Sequence, residues 1–416
     1  MIRQLLHQMR NEKSANTSLF LELFLVSVVL WFAIDFLYIR YKAYVMPLGF
    51  DITNCYSVSI SEYPESYDGY DKEADQSEAL SDLARIIRQR PDVEAVSLSF
   101  SSVPYSPSCC YNILGCRDSV GRGLVLSRTV TPDFVRVFRL EGENGESPEQ
   151  VAEAMQQMPP NSILLARTPK ENSSGKRTSD LIGKDFYWTH DSTRILHLQQ
   201  ALQPVRYRDF DLNYTPFVIK PISDDHLGQA GIPELSIRLL PAAKIGFVSR
   251  FMKDAGTYYR SGNLFVSGVR PFSALRNDAL KSNMLEIRSY MIGIGFLLFN
   301  IFLGLLGIFW FRTQRRRSEI ALHMAFGSTR RQVFGRLILE GLILLTLATL
   351  PALLVDYNIA RLEFTQPDGG SYISASRFAV TTGITWLLMA LMMIVGILFP
   401  ARKAMKIEPA QALHEE

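Results

Sequence analysis

Residues 312–340 read RTQRRRSEIALHMAFGSTRRQVFGRLILE, a basic segment between two apolar runs, Tyr290 to Phe311 and Leu337 to Val355. Each run is long enough to cross the hydrocarbon core of a membrane as a helix, which takes about 20 residues at about 1.5 Å rise per residue. The segment between them must therefore lie at one membrane face. Arg312, Arg315, Arg316, Arg317, Arg330, Arg331 and Arg336 place seven positive charges there, and the positive-inside rule makes that face cytoplasmic. Ser318 is a candidate N-cap. Ile320 with Met324, and Leu322 with Phe326, fall at four-residue spacing, so a helix here carries apolar residues on two sides. Such a short helix is marginal in water and needs a surface to dock on. That surface is either lipid, as for an interfacial helix, or a partner protein. Gly327 supplies a left-handed stop, and Thr329 with Gln332 forms a capping-box pair that starts the next helix.

Outward from this wedge, the same logic gives four spanning helices around one large polar insertion. The chain has 416 residues, 47% of them hydrophobic, and a net charge of +3, which suits a few membrane helices and a water-exposed domain and gives no reason to expect nucleic acid. The divisions read as a cytoplasmic N-terminal segment 1–18, transmembrane helix 19–43, an extracytoplasmic domain 44–283, transmembrane helix 284–312, the cytoplasmic loop 313–336, transmembrane helix 337–355, an outer loop 356–377, transmembrane helix 378–400 and a cytoplasmic tail 401–416. Thirteen basic residues flank the inner ends, against Arg361 and Arg377 alone in the outer loop, so both termini are expected inside. The first apolar run, Leu19 to Ile39, reads as an uncleaved anchor because no small-residue cleavage pattern follows it. Gly293, Gly295, Gly304 and Gly307 give the second span small faces for helix packing.

Three carboxylates fall within the spans: Glu22, Asp35 and Glu340. Glu22 is close enough to the inner boundary to snorkel, and Asp35, 16 residues after Leu19 and about 24 Å further on than it, is near the outer boundary. Asp35 is expected to pair with Arg40 or Lys42, and Glu340 with Arg336, four residues before it. Pro351 is expected to kink the third span.

The insertion alternates strand and helix patterns. Cys55 to Ile60 reads as a strand, Ser77 to Arg88 as a helix with the stripe Leu80, Leu83, Ile86 and Ile87, and Val93 to Phe100 as a strand. The order recurs late, as strand Glu234 to Leu240, helix Ala243 to Lys253 and strand Asn263 to Val269. Two strand-helix-strand units at opposite ends of the insertion can pair into one lobe near the membrane, leaving the middle as a second, outer lobe. All four cysteines, Cys55, Cys109, Cys110 and Cys116, lie in this insertion; a disulfide is permitted there but not required. The passage FVSRFMKDAGTYYRSGNLF, with Phe247, Phe251, Tyr258, Tyr259 and Phe265, reads as core and turn or as a contact for an adaptor.

Several of these passages resemble the FtsX/MacB-type ABC transporter permeases. SEIALHMAFGSTRRQVF is similar to the REIAxLRALGAxRRQI signature of that family, with His323 and Phe326 where the motif has Leu and Met324 where it has Arg. The resemblance implies that Glu319, Ile320, Leu322, His323, Met324, Phe326, Gly327, Arg330 and Arg331 belong to a coupling helix that sits in a groove of an ATPase subunit. The tail FPARKAMKIEPAQALHEE resembles the family ending xPARRAARIDPVEALRxE through Pro400, Ala401, Arg402, Lys403, Ala404, Ile407, Pro409, Ala412 and Leu413. Within the insertion, IIRQRPDVEAVSLS resembles a passage of the MacB-type periplasmic core domain, with Asp92 replacing a Gly, and VTPDFVRVFRL, SILLAR, DLIGKDF and LQPVRYRDF follow in family order.

The fold class expected is thus a four-helix membrane protein with a large α+β extracytoplasmic domain of two lobes between helices 1 and 2. By resemblance it is a permease subunit of the bacterial inner membrane that dimerises, with itself or a sister chain. It would couple ATP hydrolysis by a separate cytoplasmic P-loop ATPase to movement of the periplasmic domain, by mechanotransmission. The cargo would be an exported peptide or drug, or an extracted lipoprotein, with a periplasmic adaptor or lipoprotein as a further partner and membrane lipid around it. The alternatives are an FtsX-like regulator of a cell-wall hydrolase and a membrane-anchored binding module without an ATPase. No enzyme is expected in this chain. Gly175-Lys-Arg-Thr has Lys170 where a phosphate-binding loop begins with Gly and Arg177 where its magnesium-binding Ser or Thr belongs, so no cofactor is expected here, and ATP and magnesium are assigned to the partner. The scattered histidines and cysteines lack zinc-ligand spacing.

Overall fold

The first apolar run folds as helix α1, Lys13–Val45. The polar insertion then gives β1 (Cys55–Glu62), α2 (Gln76–Arg88), β2 (Val93–Phe100), β3 (Cys110–Cys116), β4 (Arg122–Val130), α3 (Asp133–Phe138), α4 (Pro148–Gln156), β5 (Ser162–Ala166), β6 (Asp185–Trp188), β7 (Asp191–Ala201), β8 (Phe217–Pro221), β9 (Pro233–Leu239), α5 (Phe247–Tyr258), β10 (Arg260–Ser261) and β11 (Leu264–Pro271). Three long helices close the chain: α6 (Phe272–Arg315), α7 (Arg330–Arg361) and α8 (Ala375–Ala404). The computed structural model describes residues 13–106, 110–117, 122–167, 177–206, 208–210, 214–222, 227, 233–315, 326–362 and 374–404. The chain divides into a helical unit, Met1–Tyr44 with Asn283–Glu416, and an α+β unit, Val45–Ser282.

In the α+β unit the two strand-helix-strand units interleave. β1 pairs antiparallel with β9 and β11, and β9 pairs antiparallel with β2, so the open sheet runs β10-β11-β1-β9-β2. Asp75 caps α2 by accepting from Ser77 N (2.8 Å), and Leu80, Leu83 and Ile87 on one face of that helix are buried. On α5 the buried residues are Phe247, Phe251 and Ala255. Both helices bury these faces in one core with Val58, Val96, Leu98, Ile237 and Val266. Removing each such side chain from water contributes about 1.5–3 kcal/mol. The aromatic passage is therefore core in this part: Phe247, Phe251 and Tyr259 are buried, while Tyr258 is exposed. Helix α5 begins at Phe247, because Pro241–Ala243 forms a separate 3-10 turn.

The middle of the insertion closes on itself. The sheet continues β4-β3-β6-β7-β5-β8, and β8 returns to pair in parallel with β4 through Leu126↔Phe217 to Val130↔Pro221. The result is a six-stranded barrel whose interior holds Leu114, Val125, Ile163, Leu165, Phe186, Leu196 and Val218. Closure leaves no free strand edge within the ring. Its outer wall is covered by α3 and α4, which pack Phe134, Phe138, Val151 and Met155 against Leu126, Leu164, Phe217 and Ile219. Among the described cysteines, Cys55, Cys110 and Cys116 are free thiols; Cys109 lies outside the described residues. Cys55 donates to Val137 O (3.1 Å), and burial pushes its thiol up to about 12, which disfavours the thiolate.

Among the described residues, four helices are long and apolar enough to cross a membrane. Leu19, Leu23 and Leu30 of α1 meet Leu344, Leu345 and Ala348 of α7 and Met389, Met393 and Ile397 of α8 in one core. Gly341 permits the closest approach, since a Cβ there would lie 2.6 Å from Met393 Sδ. In contrast, none of the apolar window of α6 is buried, against 50% for α1, and Phe296 and Phe299 stand open. Of its four spanning glycines, only Gly304 is approached, by Glu22 Oε1; nothing in the described chain lies within 4 Å of a Cβ on Gly293, Gly295 or Gly307. Helix α7 continues through Pro351 to Arg361, so Asp356 lies in a helix and is buried, not in a loop. Arg377 likewise stands in the first turn of α8, which begins at Ala375.

A cation ties the end of α2 to α5. Arg90 donates from Nε to Asp92 Oδ1 (2.8 Å) and from Nη2 to Asp92 Oδ2 (3.0 Å), reaches Asp254 with Nη1 (2.7 Å), and lies 5.4 Å from the Phe251 ring centroid. Asp92 thus has a structural use that a Gly would not supply. Its hydrogen bonds to Arg90 hold its carboxyl below the ordinary range, against the effect of burial. A depressed carboxylate stabilises the fold fully above its unfolded value of about 3.9 and loses that contribution as pH falls through the folded value. Thermal unfolding of the full chain in detergent is expected to shift down on acidification below about pH 4. Asp92→Asn should start lower at neutral pH and show a shallower acid dependence.

Candidate functional site

The wedge is built by the two turns around its glycine. Gly327 has φ of +91°, the left-handed conformation expected of it. Thr329 N donates to Gln332 Oε1 (2.9 Å) and Gln332 N to Thr329 Oγ1 (3.4 Å), the reciprocal capping box read in the sequence. Phe326 is 81% exposed, and Arg331, five residues on, is exposed as well. An aromatic and a cation are therefore both open to solvent around the start of α7, and exposed groups of these kinds are suited to contact another surface. The backbone of Arg330 opens that helix. Glu319, Ile320, Leu322, His323 and Met324 lie outside the described residues. Of the C-terminal motif, Pro400, Ala401, Arg402, Lys403 and Ala404 continue α8, whereas Ile407, Pro409, Ala412 and Leu413 lie outside the described residues.

The membrane carboxylates are placed very differently from one another. Glu22 is half-buried and faces Gly304 of α6. Glu340 is buried, one residue before the glycine that receives Met393. Asp35 is fully buried and meets Arg377, itself buried: Arg377 Nε donates to Asp35 Oδ1 (2.8 Å) and Nη2 donates to Oδ2. This corrects the expected pairing with Arg40 or Lys42. Residues five apart on a helix point about 140° away from each other, and residues seven apart stand about 10 Å apart along the axis. Arg40 instead reaches Glu286 Oε1 at 3.7 Å. The Asp35–Arg377 fork is a two-point contact in an apolar bundle, where either charge alone would be costly. Thr381 and Thr385 continue the buried polar line along α8, each returning its hydroxyl to a backbone oxygen of the preceding turn.

The α+β unit carries a second set of buried charges where its own chain begins and ends. Arg206, fully buried, donates to the backbone oxygens of Met46, Pro47 (3.1 Å) and Asp209 (3.0 Å). Asp209 accepts from Tyr105 Oη (2.8 Å) and Arg276 Nε (2.8 Å). Arg238 joins Asp51, Thr53 and Val137 in the same manner. These residues bind the first segment of the unit to its last helix turn. Sequence reading passed over them because Arg206 and Asp209 sit in a passage with no periodicity.

Residues 291–409 match the family model of the FtsX-like permease C-terminal domain. Among curated proteins nothing matches. Two solved structures are similar to the chain. One is a domain of a protein described as a permease from Porphyromonas gingivalis, with 13% identity, TM-score 0.32, and coverage of 53% of this chain and 90% of that one. The other is the extracellular domain of the noncanonic ABC-type transporter YknZ from Gram-positive bacteria, with 10% identity, TM-score 0.31, and coverage of 51% and 100%. The family match supports the resemblance read from the wedge, which it spans whole, and from the tail, which it spans as far as residue 409.

Breaking the buried fork tests its weight. Arg377→Met or Asp35→Leu alone strands a charge in the bundle and is expected to cost about 3–5 kcal/mol, read as a lowered unfolding midpoint of the purified chain. The double variant should recover most of that loss.

Proposed function

We propose that this chain, a membrane protein with an FtsX-like permease domain over residues 291–409, is the membrane subunit of an ABC-type transporter driven by a separate ATPase. The family match carries this reading, and the wedge supports it: Gly327 takes a left-handed turn, the Thr329–Gln332 box starts the helix that follows, and Phe326 and Arg331 are exposed. The basic ends of the helices put the wedge and both termini on the cytoplasmic side. The ATPase would take the wedge helix, residues 319–326, in a groove, with Arg330 and Arg331 at its rim.

Two copies of the permease, identical or sister, would meet through α6. Leu298, Ile301 and Ile308 pack on the core of the other helices, but Phe296, Phe299 and three of its glycines are uncovered among the described residues, and small residues let membrane helices approach closely. ATP-driven closure of the ATPase pair would move the wedges and tilt the helices, and the α+β unit would respond outside the membrane. Substrate would be handled by that unit, as in export of a peptide or drug or extraction of a lipoprotein. The chain itself performs no hydrolysis and holds no nucleotide in this scheme; ATP and magnesium belong to the partner.

Affinity purification from native membranes tests the reading. The unaltered chain is expected to bring down a P-loop ATPase at near one-to-one stoichiometry. Gly327→Pro demands φ near −65° where the chain has +91°, and together with reversal of Arg330 and Arg331 to Glu it should reduce recovery of the ATPase at least about tenfold, since several charge-assisted contacts of about 1.5–3 kcal/mol each are lost. Unchanged recovery in both variants would contradict the assigned docking surface.

A further inference from the structure

The open sheet and the barrel part company along β2 and β4, which pair only through Ser99↔Val130 and Phe100↔Thr129. Beyond those two pairs a cleft of about 1100 Å³ opens, with α2 and β2 on one side and β4, β5 and β8 on the other. Small-ligand pockets typically run to about 300–1,000 Å³, so this one accommodates a sizeable molecule. The backbone edge of β2 facing it is already satisfied. Thr131 Oγ1 donates to Leu98 O (3.1 Å) and accepts from Leu98 N (3.0 Å), and Arg88 donates to Val96 O (3.1 Å). An added peptide strand would find no free hydrogen-bonding row there.

What the cleft offers is side chains. Its apolar lining is made by Met155, Met158, Leu98 and Ile222; thioethers fit many apolar shapes. Three cations line the remainder, Arg88, Arg194 and Lys220. Arg88 is neutralised by Asp133, which also takes Arg136. Among the described residues, Arg194 has the neutral Asn161 Oδ1 as its side-chain acceptor (2.9 Å) and no carboxylate. Lys220 is half-buried beside Thr129, and its ammonium group makes no hydrogen bond or ion pair among the described residues. Burial and the neighbouring charge of Arg194 both push its ammonium group below its ordinary range. Neither Arg194 nor Lys220 has a carboxylate partner among the described residues, Asp133 of the same cleft being taken by Arg88 and Arg136, and an anion would relieve the repulsion between the two cations.

We infer that this cleft binds an amphiphilic anion, its carboxylate or phosphate head between Lys220 and Arg194 and its apolar part against Met155, Met158, Leu98 and Ile222. The site is contained in the α+β unit and does not depend on an ATPase partner, so its failure would leave the permease reading standing.

Equilibrium dialysis of the full chain in lipid nanodiscs, with empty nanodiscs as the blank, tests it with labelled octanoate, 1-octanol and inorganic phosphate. Octanoate should be retained above the blank at about one per chain. Lys220→Gln and Arg194→Gln should each weaken retention at least about tenfold, the loss expected for one hydrogen bond to a charged group. Lys220→Arg should keep it, as should Lys253→Gln, an exposed lysine on α5 outside the cleft. Octanol and phosphate should each be held far less than octanoate. The inference is overturned if octanoate matches the blank, if Lys220→Gln retains octanoate as the parent does while unfolding at the same temperature, or if octanol or phosphate equals octanoate.

Discussion

The helical unit depends on one buried contact, the fork between Arg377 and Asp35. Charges in an apolar bundle are tolerated only when each removes the other's need for water. The first and last spanning helices are therefore constrained in rotation and depth, because only one arrangement brings both oxygens to both nitrogens. Close packing follows from that arrangement, with Leu19, Leu23 and Leu30 on α1 set against Met389, Met393 and Ile397 on α8. Helix α6 meets this core only through partly buried residues, Leu298, Ile301 and Ile308, and leaves Phe296 and Phe299 exposed.

A comparable economy governs the α+β unit. Its first and last strands share one sheet, so its two chain ends lie in one layer, and Arg206, Asp209 and Arg276 cross-link the segments there. The middle strands close into a barrel, which leaves the link through β2 and β4 only two residue pairs wide. Narrow pairing between two well-packed bodies creates the cleft and limits how much backbone is spent holding them together.

Local signals were legible in the sequence because they are satisfied locally. The stripe of α2, the capping box at Thr329 and the left-handed Gly327 each need only residues within a turn or two, and each stands where it was read. The interleaving of β1 with β9 followed from two similar strand-helix-strand orders. The partner of Asp35 was not legible, since Arg377 is 342 positions away; the available hint was that a lone Asp and a lone Arg stand near the same end of two apolar runs. Barrel closure was equally hidden, because the pairing of β8 with β4 leaves no mark in either strand's periodicity. The ends of α6, α7 and α8 run past the apolar runs because polar residues such as Asp356 and Arg377 are buried by neighbours and do not terminate a helix.

The account as a whole rests on the wedge being the surface that meets an ATPase. The direct measurement is site-specific photo-cross-linking in native membranes, with benzoylphenylalanine in place of Phe326, which is 81% exposed, and in place of Tyr258, 66% exposed on α5, as the comparison. The account predicts an adduct between position 326 and a P-loop ATPase and none from position 258. Adducts to lipid alone at position 326, in membranes where the ATPase is present, would contradict it.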